Sequence, residues 1–283
     1  MTKSELKIKL IEWEKELKEN ELSKKTISSY KSDINNFFYF VRDDDEPITK
    51  DTLINYKDKM KSDNKKSSSI NRSIISINKF FSFCGQDMSL KNVKVQKQNT
   101  FDNLLTQKEL KGILNQAEKQ GEYQIYYIVK TLVLTGIRYS ELKYITVEAC
   151  RDKKITIENK GKIRNIPLEA DLAKELIAFA KTRDITGGMI FITKNGTFIK
   201  NEQFSRKLKK VVGKAHFIAL KKAHAHNFRH LFAVNLLETV NNNMAEVADI
   251  LGHSSLETTR IYLRNTTNEK RSHIKEMKNK LGI

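Results

Sequence analysis

Proline is almost missing from this chain, with two in 283 residues, and glycine is sparse at 11. A sequence so poor in helix breakers favours uninterrupted helices over a turn-rich β architecture. Cysteine is equally scarce: Cys84 and Cys150 stand alone with no CxxC spacing, which argues against a disulfide framework or a zinc site and points to reduced, structural thiols. The six histidines lack recognisable ligand spacings with cysteine or acids. There is no Walker-type Gly-Lys-Ser/Thr loop and no acidic cluster placed to hold magnesium, so neither a nucleotide cofactor nor a metal is expected. No apolar run approaches the roughly 20 residues that span a bilayer, and the start, Met1-Thr2-Lys3-Ser4-Glu5, lacks the apolar core of a signal peptide. The expectation is a cytoplasmic protein with no membrane partner. Acidic residues are also in short supply: 34 against 52 Lys and Arg, a formal charge of +18 and a pI near 9.6. That excess calls for a polyanion, and nucleic acid is the leading one.

What is present is helical periodicity. Leu6, Leu10, Trp13 and Leu17 recur on one face, as do Ile27, Tyr30, Ile34, Phe37, Phe38 and Val41, and then Ile70, Ile74, Ile77, Phe80, Phe81 and Cys84. With Asp51 to Met60 as a further helix, these predict a four-helix domain over residues 1–87. Ser23 or Thr26, Pro47-Ile48-Thr49 and Ser67 to Ser69 supply the start signals. Between residues 88 and 103 the pattern lapses into Lys, Asn and Gln, which predicts a linker. Periodicity resumes over 104–283, with helices predicted at 106–117, 123–134, 172–182, 201–215, 225–239, 244–251 and 256–263, and a basic tail helix at 271–280. Alternating Ile155, Ile157, Ile163 and Ile166 around Asn159-Lys160-Gly161-Lys162 predict a hairpin with a basic tip.

Several side chains in this second region suit attack on a phosphodiester. The phenol of Tyr262 is a nucleophile once positive neighbours favour its ionised form. Arg138 and Arg229 offer planar, permanently charged donors for the non-bridging oxygens. Lys160 at the hairpin tip can protonate a leaving 5′ oxygen, with Lys162 as its rival. His226 and Arg229 lie three apart and share a helix face, and His253 after Gly252 can hydrogen-bond another phosphate oxygen. Glu141, three residues after Arg138, can orient it, and His230 is placed to support the site.

Order and spacing add a resemblance. Thr135-Gly136-Ile137-Arg138-Tyr139-Ser140-Glu141-Leu142, then Lys160 before Gly161, His226-Asn227-Phe228-Arg229-His230, Leu251-Gly252-His253 and Tyr262 nine residues on resemble the marks of the tyrosine recombinases, or phage integrase family. Thr26, Tyr30, Asp33, Ile34 and Phe37, with Ile70-Asn71-Arg72 and Phe80-Phe81, are similar to that family's N-terminal core-binding domain. The resemblance covers about residues 4 to 270. It implies a mainly α protein, with a four-helix, SAM-like core-binding domain followed by a mixed α/β, mostly helical catalytic domain. It implies that Arg138, Lys160, His226, Arg229 and His253 surround the scissile phosphate of double-stranded DNA and that Tyr262 forms a 3′-phosphotyrosyl bond. It implies a homotetramer on two DNA sites, with a tail helix that docks on a neighbour and with accessory DNA-bending or directionality proteins as possible partners. Composition, rich in Lys, Asn and Ile, points to integration or excision of a mobile element. Xer-type dimer resolution, a type IB topoisomerase and a non-catalytic DNA-binding protein are the alternatives.

Overall fold

The computed structural model describes residues 1–94, 104–159, 162–213, 220–252, 255–256, 259, 262, 275 and 277–281. The chain divides into two compact units, Met1–Gln98 and Asn99–Ile283.

The first unit is four helices: α1 (Lys3–Glu19), α2 (Lys24–Phe40), α3 (Lys50–Ser62) and α4 (Ser67–Phe83). Their starts are set by local chemistry. Thr2 and Glu5 form a reciprocal capping box on α1, Ser23 accepts from Thr26 N at the start of α2, and Thr49 caps α3. Most of the stability of these helices comes from burying their apolar stripes together rather than from helix propensity. Trp13 stacks on Tyr30 with ring centres 5.7 Å apart and meets Phe80 at 5.2 Å, while Phe37 packs edge-on to Tyr56 and Phe81. One carboxylate enters this core: Asp33 is buried and accepts from Ser76 Oγ at 2.8 Å and Arg72 Nη2 at 3.0 Å. The segment expected as linker begins against α4. Asn78 pairs with both backbone groups of Leu90 at 2.8 and 3.0 Å, and Asn71 does the same for Val93 at 2.7 and 3.0 Å.

The second unit contains α5 (Gln107–Lys119), α6 (Tyr123–Thr135), a 3-10 turn at Tyr139–Tyr144, α7 (Val147–Arg151), β1 (Lys154–Asn159), β2 (Lys162–Pro167), α8 (Ala170–Lys181), α9 (Asn201–Gly213), a 3-10 turn at Leu220–Lys222, α10 (Ala225–Thr239) and α11 (Met244–Leu251). Helix α6 is central. Ile125, Ile128, Val129, Thr131, Leu132 and Thr135 are all buried, and α10 packs along it. It ends at Gly136, whose φ of 62° is the left-handed conformation that closes a helix C-terminus. A Cβ there would also collide with the Phe232 ring of α10, so this glycine answers to backbone and packing at once.

The hairpin corrects one detail of the sequence pattern. The antiparallel register pairs Ile155 with Ile166 and Ile157 with Arg164. Ile155, Ile157 and Ile166 are buried, but Ile163 lies on the opposite face and is 67% exposed. A period of two cannot put residues 163 and 166 on one side, and the inward position in this stretch of β2 belongs to Arg164. The two 3-10 turns and α7 were also not foreseen, because each is too short to display a helical period. The helices expected at 256–263 and 271–280 fall largely outside the described residues. No helix among the described residues is long and apolar enough to cross a membrane.

Candidate active site

Two helix ends meet around buried cations. Directly after Gly136, the extended backbone of Arg138 opens the 3-10 turn, and Glu141 folds back onto it. Glu141 Oε2 accepts from the Arg138 backbone N at 2.7 Å, and Oε1 accepts from Arg138 Nη1 at 3.1 Å. Glu141 is 4% exposed, so its carboxylate is committed to these donors, and the Arg138 guanidinium is aimed while staying 40% exposed.

Arg229, on the second turn of α10, is 2% exposed. Its Nη1 donates to Gly136 O at 2.6 Å and its Nη2 to Leu251 O at 2.8 Å. Those acceptors are the C-cap of α6 and the last residue of α11, ends where helix carbonyls concentrate negative partial charge and favour a cation. Burial, and then the nearby Arg138, pull the Arg229 pKa down to about 10. Arg138 Nη2 donates to Gly252 O at 3.4 Å, which brings both guanidiniums to the end of α11.

The third cluster member is the phenol. Tyr262 is 5% exposed and packs with Ala233, Leu237, Val247 and Leu251. Its Oη lies 3.2 Å from His230 Nδ1. His226, one turn earlier on α10, meets His230 edge-on with ring centres 4.2 Å apart. Burial raises the Tyr262 pKa, and the charges of Arg229 and Arg138 oppose it. Burial, followed by Arg229, His224 and Arg138, lowers the His226 pKa.

The structure therefore gathers Arg138, Glu141, His226, Arg229, His230 and Tyr262. Lys160 and His253 lie outside the described residues, and Lys162 opens β2 with its backbone paired to Asn159. Sequence reasoning passed over Arg164. Its Nη2 donates to Glu141 Oε2 at 2.7 Å, and its Nη1 donates to Leu251 O. The signal available was strand alternation, which places Arg164 beside Ile157 on the buried face. A groove of about 810 Å³ lies at the other end of α6, around Tyr123, Phe179 and Arg206, and involves none of these residues.

The phage integrase family model matches residues 103–269, and that family's N-terminal SAM-like domain matches residues 10–86. The chain belongs to the phage integrase family. Its similar relatives include tyrosine recombinase XerA of Pyrococcus horikoshii, 29% identical and covering 90% of this chain and 88% of that protein. XerA of Pyrococcus furiosus is 30% identical over 74% of this chain and 72% of that protein. In fold, this phage integrase family member is similar to the integrase of transposon Tn1549, solved in complex with transposon right-end DNA. The TM-score is 0.71 at 20% identity, covering 98% of this chain and 99% of that one.

Proposed function

We propose that this protein is a site-specific DNA recombinase that cuts and rejoins strands through Tyr262. The observation that carries this reading is the placement of the Tyr262 phenol in one cluster with Arg138, Arg229 and His230, drawn from separate parts of the chain. Arg138 and Arg229 take the non-bridging oxygens of a backbone phosphate, where planar bidentate donors stabilise the charge that builds up in the transition state. His226 and His253 supply further hydrogen bonds to the same phosphate. Tyr262 Oη passes its proton to His230 Nδ1, 3.2 Å away, and forms the bond to phosphorus while the bond to the 5′ oxygen breaks. That oxygen leaves with a proton from Lys160, for which Lys162 is the alternative donor. The phosphotyrosyl link keeps the bond energy of the broken backbone, so an incoming 5′ hydroxyl can reverse the step and reseal the strand without a nucleotide cofactor.

The reaction joins double-stranded DNA through a homotetramer on two sites, in integration or excision of a mobile element. Xer-type dimer resolution is the second reading, favoured by the similarity to XerA proteins over most of the chain.

The test is covalent trapping. Wild type and Tyr262→Phe are incubated in EDTA with nicked duplex fragments of the DNA flanking the gene and resolved on a denaturing gel. An adduct from wild type alone, sequenced to its attachment point, is the expected result. Salt-sensitive binding by both proteins with no adduct on any fragment would replace this reading with a non-catalytic DNA-binding role. Relaxation of supercoiled plasmid without strand exchange would make it a topoisomerase.

A further inference from the structure

Arg164 closes a ring of contacts that no other described residue closes. Starting from Arg138, the ring passes through the Glu141 carboxylate to Arg164, through the Leu251 carbonyl to Arg229, and through the Gly136 carbonyl back to the residue two before Arg138. Each acceptor is shared or adjacent, so moving one guanidinium disturbs its neighbours. Gly252 makes room for this: a Cβ at that position would run into the Arg164 guanidinium. Burial and Arg138 depress the Arg164 pKa, while Glu141 opposes them, and Nε is buried without a hydrogen-bond partner among the described residues. A fold seeking only stability gains little from such an arrangement, since apolar replacements of buried ions are often neutral or better.

The members of the ring do not depend on Arg164 equally. Without it, Glu141 still accepts from the backbone and Nη1 of Arg138, and Arg229 still has both carbonyls. Strand β2 is held by its ladder to β1 and by Ile166 in the core, but among the described residues no other side chain hydrogen-bonds it to Glu141 or α11. Its partner β1 is tied to the 3-10 turn through Tyr144 Oη donating to Glu158 O at 2.8 Å, but Arg164 is the side chain that fastens β2 itself to Glu141 and α11. It stands two residues after Lys162 and four after Lys160.

We infer that Arg164 is a positioning residue that registers the β1–β2 hairpin, and with it the proton-donating lysine, against the two phosphate-gripping arginines. This rests on the recombinase reading, and it adds a residue that acts on the leaving group through the hairpin. A planar fork is required because the two acceptors lie in different directions. Lysine supplies the charge but not the fork.

The experiment follows adduct formation in a single turnover, on the nicked duplex trapped by wild type, with wild type, Arg164→Met and Arg164→Lys. A second version of the duplex carries sulfur in place of the scissile 5′-bridging oxygen. There the Tyr262 O–P bond forms, the P–S bond breaks, and the electron pair leaves on sulfur as a thiolate that needs no proton. On the oxygen duplex, both variants should be slower by about 10²-fold, the scale of a misplaced catalytic group, with unchanged DNA affinity and melting temperature. On the sulfur duplex, they should recover most of the loss. Wild-type rates for either variant on the oxygen duplex would overturn the inference. So would equal slowing on both duplexes, which would place the defect in phosphate binding or the fold. An inactive wild type would instead overturn the recombinase reading itself.

Discussion

At the scale of the residue, the proposed chemistry turns on a buried phenol beside an imidazole. Burial holds the Tyr262 pKa above its ordinary value near 10, so at neutral pH the proposed nucleophile still carries its proton. The protonated form is the one the folded state prefers. Its contribution to stability is therefore present below the unfolded value and is lost as pH rises through the raised one, whereas reactivity runs the other way. Cleavage should accelerate as pH climbs from about 6 to about 9 in single-turnover assays; a flat profile would mean that the phenol is not what limits attack. His230 Nδ1 is the group within reach of that proton. His230→Leu should slow adduct formation by about 10²-fold, the low end for a proton-transfer group, with DNA affinity retained in gel-shift titrations. The sequence made His226, Arg229 and His230 legible as one helix face, because spacings of three and four are fixed by the helix. It could not reveal that the His230 ring touches a residue 32 positions later. The partners of Arg164 were hidden for the same reason, since both of its acceptors lie far along the chain, although strand alternation marks its inward face.

At the scale of the element, the long helices were readable because an amphipathic stripe repeats several times within each. The 3-10 turn at Tyr139–Tyr144, which carries Glu141, was not, because six residues hold too little of any period. The hairpin lies between these cases. Its existence was legible from alternation around a polar tip, but the four isoleucines do not share one face, since Ile163 points away from the buried Ile155, Ile157 and Ile166. The register yields a direct comparison: Ile155→Ala should cost about 2–5 kcal/mol by emptying a buried site, and Ile163→Thr should stay within about 0.5 kcal/mol. Chemical denaturation of the two variants measures both. Equal losses would mean that the strand faces are assigned incorrectly. The stretch after α4 teaches a related lesson. Its Lys, Asn and Gln composition reads as linker, yet Asn71 and Asn78 on α4 supply the hydrogen bonds that a neighbouring strand would otherwise give. Such bonds from side chain to backbone leave no periodic trace.

At the scale of the whole molecule, a charge of +18 over two separately cored units makes DNA affinity a function of salt. Each neutralised phosphate adds about 0.9 to the slope of log affinity against log salt. A slope steeper than about 5 in fluorescence anisotropy is expected for a protein that lays both units on a duplex; a shallow slope would mean that most of the charge faces elsewhere. The buried Arg229 carries a further consequence. Its pKa is held down at about 10, so at neutral pH the folded state bears a cation that its surroundings partly resist, and folding is weaker for it. An anion that settles there relieves the strain and is thereby linked to stability. Inorganic phosphate or sulfate should raise the melting temperature beyond what chloride does at equal ionic strength. The substrate's backbone would then be a thermal ligand as well as a reactant, and the protein would be hardest to unfold while holding the bond it breaks.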